Sequence, residues 1–198
     1  ITGQSLVPLL KSAKSDWVTE ERQTMIVGKE RHDLGRPNRW GYPVRAIRTP
    51  EFLYVHNYHP ERWPACDPET NFGNCDDSPT KEVVKLLGGY YFNLSFNFRP
   101  ADELYRLSDD PHGVNNLAND PAHAETMAAL KKQMLDTLKA EGDPRALGRG
   151  AIFDTYEYVK QSPKDYATWL KTRDAELTAE AERRASELKS QDKRKKLP

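Results

Sequence analysis

The feature that most constrains the fold of this chain is a strand, a turn and a helix start that follow one another directly. Leu104, Tyr105 and Leu107 predict a short apolar strand. The Asp-Asp-Pro turn at 109–111 closes it, because proline fixes its own φ angle and cannot extend strand pairing. Asn119-Asp120-Pro121 then predicts a helix start, with the aspartate as the capping residue and the proline at the first helical position.

The residues after this start have the spacing of an amphipathic helix. Four apolar side chains share one face of a helix from Pro121 to about Ala140: Met127, Leu130, Met134 and Leu138. Glu141-Gly142-Asp143-Pro144 ends the helix. We expect the apolar face to lie against a sheet.

Four further segments predict that sheet. The apolar run Thr24 to Val27, ended by Gly28, indicates a buried strand. Val44 to Arg48 and Phe52 to Asn57 are β-prone and lie close enough to form a hairpin. The aromatic residues between Tyr90 and Phe98 suggest one more strand. Together these segments predict a small antiparallel sheet.

Composition narrows the classes of partner. The 198 residues include 30 basic and 30 acidic side chains, and this zero net charge argues against a broad nucleic-acid-binding surface. No apolar run approaches the roughly 20 residues that cross a bilayer. A second helix is predicted from Ser162-Pro163, packing through Tyr166, Trp169 and Leu170, and beyond Arg173 it becomes a long charged helix. We therefore expect neither nucleic acid nor a membrane as a partner.

The two cysteines leave two alternatives open. Cys66 and Cys75 are close enough in sequence to form a disulfide in an oxidising compartment, and they could equally be two thiols. A structural zinc site is not expected, because no pair of histidines with ligand spacing accompanies them. The acidic and amide residues around Asp67 to Asp77 indicate a polar loop.

Five segments resemble sulfatases. Residues 103–118, ELYRLSDDPHGVNNLA, are similar to the ELYDLxxDPxExxNLA signature near the carboxyl end of that family, with Arg106 and Gly113 replacing an aspartate and a glutamate. Gly28 to His32 resembles the G-[RK]-E-R-H segment of the heparan N-sulfatase-like branch. The remaining resemblances are the G-x-S-L-x-P-L-L segment at 3–10, the YPxRAIRT hairpin at 42–49 and the G-D-P-R-x-x-G loop at 142–148.

The resemblance implies an α/β fold of the alkaline-phosphatase and sulfatase type. This chain would be mainly its carboxyl-terminal α+β subdomain, a small antiparallel sheet packed with a helix. We expect the end of the large domain at 1–30, the subdomain at 31–160 and a charged helical tail at 161–198. The catalytic formylglycine and the calcium ligands are expected in an amino-terminal part outside this chain. Cys66-Asp67-Pro68-Glu69-Thr70 has the Cys-x-Pro spacing of the nucleophile motif but threonine in place of its arginine.

Six residues are candidates for substrate binding, and none is predicted to be catalytic or to bind a metal: Lys29, Arg31, His32, Trp40, Arg45 and His59. An arginine suits sulfate because its planar fork donates two hydrogen bonds, and a histidine can donate to an anion. Aromatic side chains such as Trp40 suit a sugar ring. Arg45 and Arg48 fall on opposite faces of one strand, so at most one faces a given pocket. For either of them, a structural salt bridge is the alternative interpretation.

The resemblance also sets the expected function. It implies a hydrolase of sulfate esters or sulfamates, acting on sulfated glycans such as heparan sulfate, in the periplasm or outside the cell. The chain alone would be inactive and would need the amino-terminal portion as its partner. Three alternatives stay open: a phosphonate or phosphodiester hydrolase of the same superfamily, a non-catalytic module that binds sulfated glycans, and an inert fragment.

Overall fold

The computed structural model describes residues 5–15, 18, 23–31, 36–67, 72–73 and 75–157. It also describes 166, 168, 171–173, 175, 178–183 and 186, all of which are helical, and only the backbone of 66–67 and 72–73. Some residues for which the sequence analysis made a prediction lie outside these ranges: Thr2 to Gln4, His32, Trp169 and Leu170. No helix among the described residues is long and apolar enough to cross a membrane.

Up to residue 157, the described residues form six strands and five α-helices in the following order along the chain. The elements are α1 Val7–Leu10, β1 Met25–Lys29, β2 Val44–Arg48, β3 Phe52–Asn57, β4 Cys66–Asp67, β5 Phe72–Gly73, α2 Pro79–Leu87, α3 Gly89–Ser95, β6 Asp102–Arg106, α4 Ala124–Ala140 and α5 Ile152–Thr155. Short 3-10 turns lie at Pro37–Arg39 and Pro121–His123. Strands β1, β2, β3 and β6 form one antiparallel sheet in that order, and β4 pairs with β5.

The predicted hairpin is confirmed with its boundaries. Val44 pairs with Asn57 and Arg48 with Leu53, which sets the register of β2 and β3. The connection is held at Thr49, whose backbone N–H donates to the Phe52 carbonyl at 2.8 Å and whose Oγ1 accepts from the Phe52 N–H at 2.9 Å. A short side chain that bonds to nearby backbone explains why the turn is tight.

The core lies between the sheet and α4, which confirms the predicted packing of a helix on a small antiparallel sheet. Its buried members come equally from the two layers: Ile47, Tyr54 and Leu104 from the strands, and Leu130, Met134 and Leu138 from the helix. The predicted cap is also present, since Asp120 Oδ1 accepts from the Ala122 N–H at 2.9 Å and a 3-10 turn leads into α4. Burial of the apolar stripe is the main term that holds the two layers together.

The prediction of a buried strand at 24–27 is wrong in its burial. The strand exists as β1, but it pairs with β2 alone and lies at the edge of the sheet. Met25 is 62% exposed and Val27 is 49% exposed. The reason is that α4 packs mainly against β2 and β3, so that on β1 only Ile26 is partly buried against the core.

The prediction of a strand in the aromatic run is wrong in type. The run forms α3, in which the Phe96 N–H donates to the Phe92 carbonyl at 2.8 Å. Phe92 and Phe96 are four residues apart and bring their ring centroids to 5.8 Å, the pairing of one helix face. Gly88, with a φ angle of 62°, separates α3 from α2, and Gly89, with a φ angle of 70°, is the first residue of α3. Aromatic content alone therefore misled the strand assignment.

Candidate functional site

The sheet register places polar residues in one row across all four strands. Gly28 on β1 pairs with Arg45 on β2, Arg45 pairs with His56 on β3, and His56 pairs with Asp102 on β6. Residues directly opposite each other in an antiparallel sheet share a face. On this face, one end of the sheet therefore carries polar and charged groups, whereas the rest of the face carries the apolar core.

At the β1 side of this row, two buried arginines, Arg45 and Arg145, pair with two partly buried carboxylates, Glu30 and Asp143. These four charged groups are called here the buried cluster. Arg45 Nη2 donates to Glu30 Oε1 at 2.7 Å and its Nε donates to Asp143 Oδ2 at 2.9 Å. Arg145 Nη2 donates to Glu30 Oε2 at 2.7 Å. The two arginines are only 5% and 8% exposed. Two positive and two negative groups balance, which is the condition under which buried charges are tolerated.

The hydrogen bonds inside this cluster shift the pKa values of Arg45 and Asp143. Burial opposes the charge on Arg45, but the hydrogen bonds to Asp143 and Glu30 outweigh it and raise the pKa of the guanidinium. Burial likewise opposes the charge on Asp143, and the hydrogen bonds from Arg45 and from the backbone N–H groups of Ala146 and Arg145 lower the pKa of its carboxyl. Both groups stay ionised at neutral pH.

Two glycines leave the space that these arginines fill. A Cβ atom at Gly28 would lie 2.9 Å from Arg45 Cδ, and one at Gly150 would lie 2.5 Å from Arg145 Nε. Real Cβ contacts are essentially never this short. The G-K-E-R-H segment, the YPxRAIRT hairpin and the G-D-P-R-x-x-G loop thus meet in one buried cluster, although they are far apart in sequence.

A second polar network lies at the β6 side of the row. Asp102 Oδ1 accepts from the Tyr54 hydroxyl at 2.5 Å and lies 2.8 Å from His56 Nδ1, and Lys131 Nζ of α4 donates to it at 3.0 Å. Burial raises the pKa of this carboxyl, but these three hydrogen bonds together hold it below its ordinary value. The network ties α4 to the sheet through charge as well as through apolar contact.

Arg31 follows the cluster directly in sequence and contacts the chain beyond α4. Its guanidinium donates to the backbone carbonyl of Tyr156. The ring of Phe153, in the same segment, lies 6.0 Å from Arg45 Cζ and 5.6 Å from Arg145 Cζ. The buried cluster and the end of β1 are therefore connected through this segment.

The other predicted rim residues are linked by an arginine and a glutamate. Arg62 Cζ lies 4.7 Å from the Trp40 ring centroid, within cation–π range. Glu61 Oε1 lies 3.9 Å from Arg62 Nε and 2.8 Å from His59 Nδ1. Trp40 and His59 thus belong to one connected set at the end of the sheet where β3 ends.

Lys29 and Tyr42 meet at this same end. Lys29 Nζ lies 5.7 Å from the Tyr42 ring centroid, and partial burial together with the Arg36 guanidinium lowers the pKa of its ammonium group. Burial, with a further contribution from Glu103, raises the pKa of Tyr42 to about 12. The Tyr42 hydroxyl is buried and has no hydrogen-bond partner among the described residues.

The structure places five of the six predicted site residues at the same end of the sheet: Lys29, Arg31, Trp40, Arg45 and His59. His32 lies outside the described residues. Arg45 is engaged by two carboxylates of this chain, and Arg48 is exposed on the other face, as the alternation of a strand predicts. Their assignment to substrate binding stays a prediction.

The sequence analysis did not identify the residues that hold this end of the sheet in place. Glu30, Asp143 and Arg145 complete the buried cluster, and Phe153 and Tyr156 lie between it and Arg31. Their partners lie about a hundred residues away in sequence, so no local spacing reports them. The glycines of the motifs were the available signal, because a glycine inside a regular strand such as β1 often marks close approach of another group.

An open cavity of about 990 Å³ borders the buried cluster on the β1 side. Glu30, Arg45 and Asp143 lie along it together with Ile26 and Phe153. Within the part of the chain that the structure describes, no three histidine, cysteine, aspartate or glutamate side chains are placed to hold a metal ion. These residues therefore do not fit a calcium site.

Comparison with known proteins finds sulfatases among the proteins that are similar to the chain. It is 29% identical over 136 residues to human N-sulphoglucosamine sulphohydrolase, a match that covers 68% of this chain and 25% of that protein. It is 26% identical over 113 residues to an ulvan-active sulfatase of Formosa agariphila, covering 56% of this chain and 19% of that protein. No family model matches the chain.

A solved structure of a proposed sulfatase from Bacteroides thetaiotaomicron superposes with a TM-score of 0.38 and 19% identity, over 83% of this chain and 24% of that one. The chain spans a quarter or less of the length of the two curated relatives. The resemblance to sulfatases is confirmed, since these curated relatives are sulfatases.

Proposed function

We propose that this chain is the carboxyl-terminal portion of a sulfatase that hydrolyses sulfate esters or sulfamates of sulfated glycans. The observation that carries the proposal is the meeting of three sulfatase-like segments in the buried cluster of Glu30, Arg45, Asp143 and Arg145. This cluster holds the end of β1, directly before Arg31 in the sequence. The sulfatase relatives support the same reaction class.

Each candidate residue has a role in this proposal. Arg31 and His32 bind the sulfate, because a guanidinium fork and an imidazole N–H both donate to anionic oxygens. Lys29 adds positive charge beside them, while Trp40 and His59 contact the sugar. Arg45 is held by its two carboxylates and supports this rim from within the subdomain.

The remaining machinery is assigned to the amino-terminal portion. That portion would carry the formylglycine, which supplies the nucleophile, and the residues that bind calcium. The present chain would be inactive without it, and the assembled enzyme would act in the periplasm or outside the cell.

The test begins with the native particle that contains this chain. Its mass and every polypeptide in it are determined, and sulfate release from N-sulfated and O-sulfated glucosamine is measured by ion chromatography. We expect a formylglycine-bearing portion and sulfate release. Arg31→Ala should lower kcat/KM on the order of 10- to 100-fold, the effect of losing charged hydrogen bonds, whereas Arg48→Ala on the opposite face should not.

Two results would contradict the proposal. One is a particle that contains a formylglycine portion but releases no sulfate from either sugar. The other is a lone folded chain of about 23 kDa, consistent with the 22.7 kDa of the sequence.

A non-catalytic module that binds sulfated glycans is the second candidate. It is favoured by a core that closes within this chain, from Ile47, Tyr54 and Leu104 to α4, and by a charge cluster whose partners are all internal. This alternative predicts a stable monomer that binds heparin-like sugar and has no hydrolytic partner. Size-exclusion chromatography and calorimetric titration with heparin oligosaccharides separate the two candidates.

A further inference from the structure

Tyr156 lies beside the proposed sulfate-binding arginine and was not among the candidate residues. Its backbone carbonyl accepts a hydrogen bond from the Arg31 guanidinium. Its side chain is 52% exposed. Tyr156 is therefore an accessible aromatic residue whose backbone is hydrogen-bonded to a residue suited to an anion.

The position of the Tyr156 ring is set by the buried cluster. Phe153 contacts Tyr156 edge to face, with ring centroids 5.8 Å apart and an interplanar angle of 82°. Phe153 in turn lies within cation–π range of Arg45 and Arg145, which are both held by Glu30. An aromatic residue anchored in this way loses little conformational freedom when a ligand binds.

The Arg31 guanidinium has enough N–H donors to bond both the Tyr156 carbonyl and a sulfate group. Arginine carries five N–H donors in a planar fork. The hydrogen bond to the Tyr156 carbonyl orients the fork, and the remaining edge can donate to sulfate oxygens. The residue that accepts this hydrogen bond also carries an exposed aromatic ring, and a tyrosine face suits the apolar C–H face of a pyranose ring.

We propose that Tyr156 is a sugar-stacking residue that acts together with Arg31, so that this pair recognises a sulfated pyranose rather than a free anion. Arg31 holds the sulfate and Tyr156 holds the ring that carries it. This inference rests on the proposed function and names a specificity residue for that site. A ligand without a ring, such as inorganic sulfate, would use Arg31 alone.

The experiment measures binding to the 198-residue chain by calorimetric titration with two probes, N-sulfated glucosamine and inorganic sulfate. Tyr156→Ala should weaken sugar binding roughly tenfold, in the range of a modest aromatic hot spot, and leave sulfate binding unchanged. Tyr156→Phe should bind both probes like the parent chain, because the ring face remains. Arg31→Ala should weaken both.

Matched variants separate stacking from folding. Tyr91→Ala removes a tyrosine that is 69% exposed on α3 and should leave both affinities unchanged. Tyr156→Leu keeps an apolar side chain without an aromatic face, so it tests stacking even if the alanine variant loses stability. Thermal unfolding of each variant is recorded alongside.

The outcomes distinguish this inference from the proposed function. If the parent chain binds the sugar and folded Tyr156→Leu and Tyr156→Ala bind it equally well, Tyr156 has no stacking role while the proposed function stands. Loss of sugar affinity in Tyr91→Ala to the same degree would also overturn the inference. A parent chain that binds neither probe contradicts the glycan-binding role itself.

Discussion

Arg45 and Arg48 belong to the same strand, yet their environments are opposite. Arg45 is 5% exposed and bonded to Glu30 and Asp143, while Arg48 faces solvent. Strand alternation separates their faces, and the two carboxylates compensate the buried charge. Arg45 therefore stabilises the subdomain, whereas Arg48 is a surface residue with little expected effect on stability.

Arg45→Met should strongly destabilise the chain. It leaves Asp143 without its guanidinium partner and removes one of the two partners of Glu30 inside a buried region. Removing one member of a buried charge network costs about 3–5 kcal/mol. Urea unfolding would measure this loss, with Arg48→Met as the control that should change the free energy of unfolding by less than about 0.5 kcal/mol. Equal effects at both positions would show that the buried cluster does not stabilise the fold.

Helix α4 joins the apolar and the charged parts of the sheet. Its stripe packs on Ile47, Tyr54 and Leu104, while Lys131 on the same helix donates to Asp102 at the polar end. Met134 lies at the centre of the stripe and is fully buried. The helix is thus the element on which both layers of the subdomain depend.

Met134→Ala should lower the free energy of unfolding by about 2–5 kcal/mol, because it removes buried methylenes and leaves a cavity between the layers. Chemical denaturation monitored by circular dichroism would measure the change. Gln133→Ala, at the exposed neighbouring position, is the control and should be within about 0.5 kcal/mol of the parent chain. A small effect at Met134 would mean that α4 is not held through this stripe.

Across the whole molecule, the two polar networks couple stability to pH. The carboxyls of Asp102 and Asp143 have pKa values below their ordinary value of 3.8, since burial is outweighed by their hydrogen-bonded partners. A carboxyl whose pKa is lower in the folded state contributes stability above its unfolded pKa. That contribution is lost as pH falls through the folded pKa.

The free energy of unfolding should therefore be flat near neutral pH and fall as the pH drops below about 4. Urea unfolding at a series of pH values would measure the profile. Asp143→Asn should lower stability at pH 7 and make the acid-side decline shallower, because one of the carboxyls whose pKa is lowered in the folded state is gone. A profile that is the same in the parent chain and in this variant would contradict a stabilising role for the Asp143 carboxylate.

The sequence by itself determined the elements whose signals are local. The β2–β3 hairpin, the Asp120 cap and the stripe of α4 were predicted from spacings of a few residues, and the family from motifs that need no tertiary contact. Local spacing also separated Arg45 from Arg48, because side chains alternate along any strand.

Only the tertiary structure decided what those faces meet. Arg45 bonds to Asp143 across a sequence separation of 98 residues, and Arg145 bonds to Glu30 across a separation of 115 residues. No hydrophobic or polar periodicity extends over such separations. The edge position of β1 likewise follows from the pairing order of the sheet, in which β1 pairs with β2 alone. A spacing specifies a face, but the groups that cover that face are selected by the packing of the whole chain.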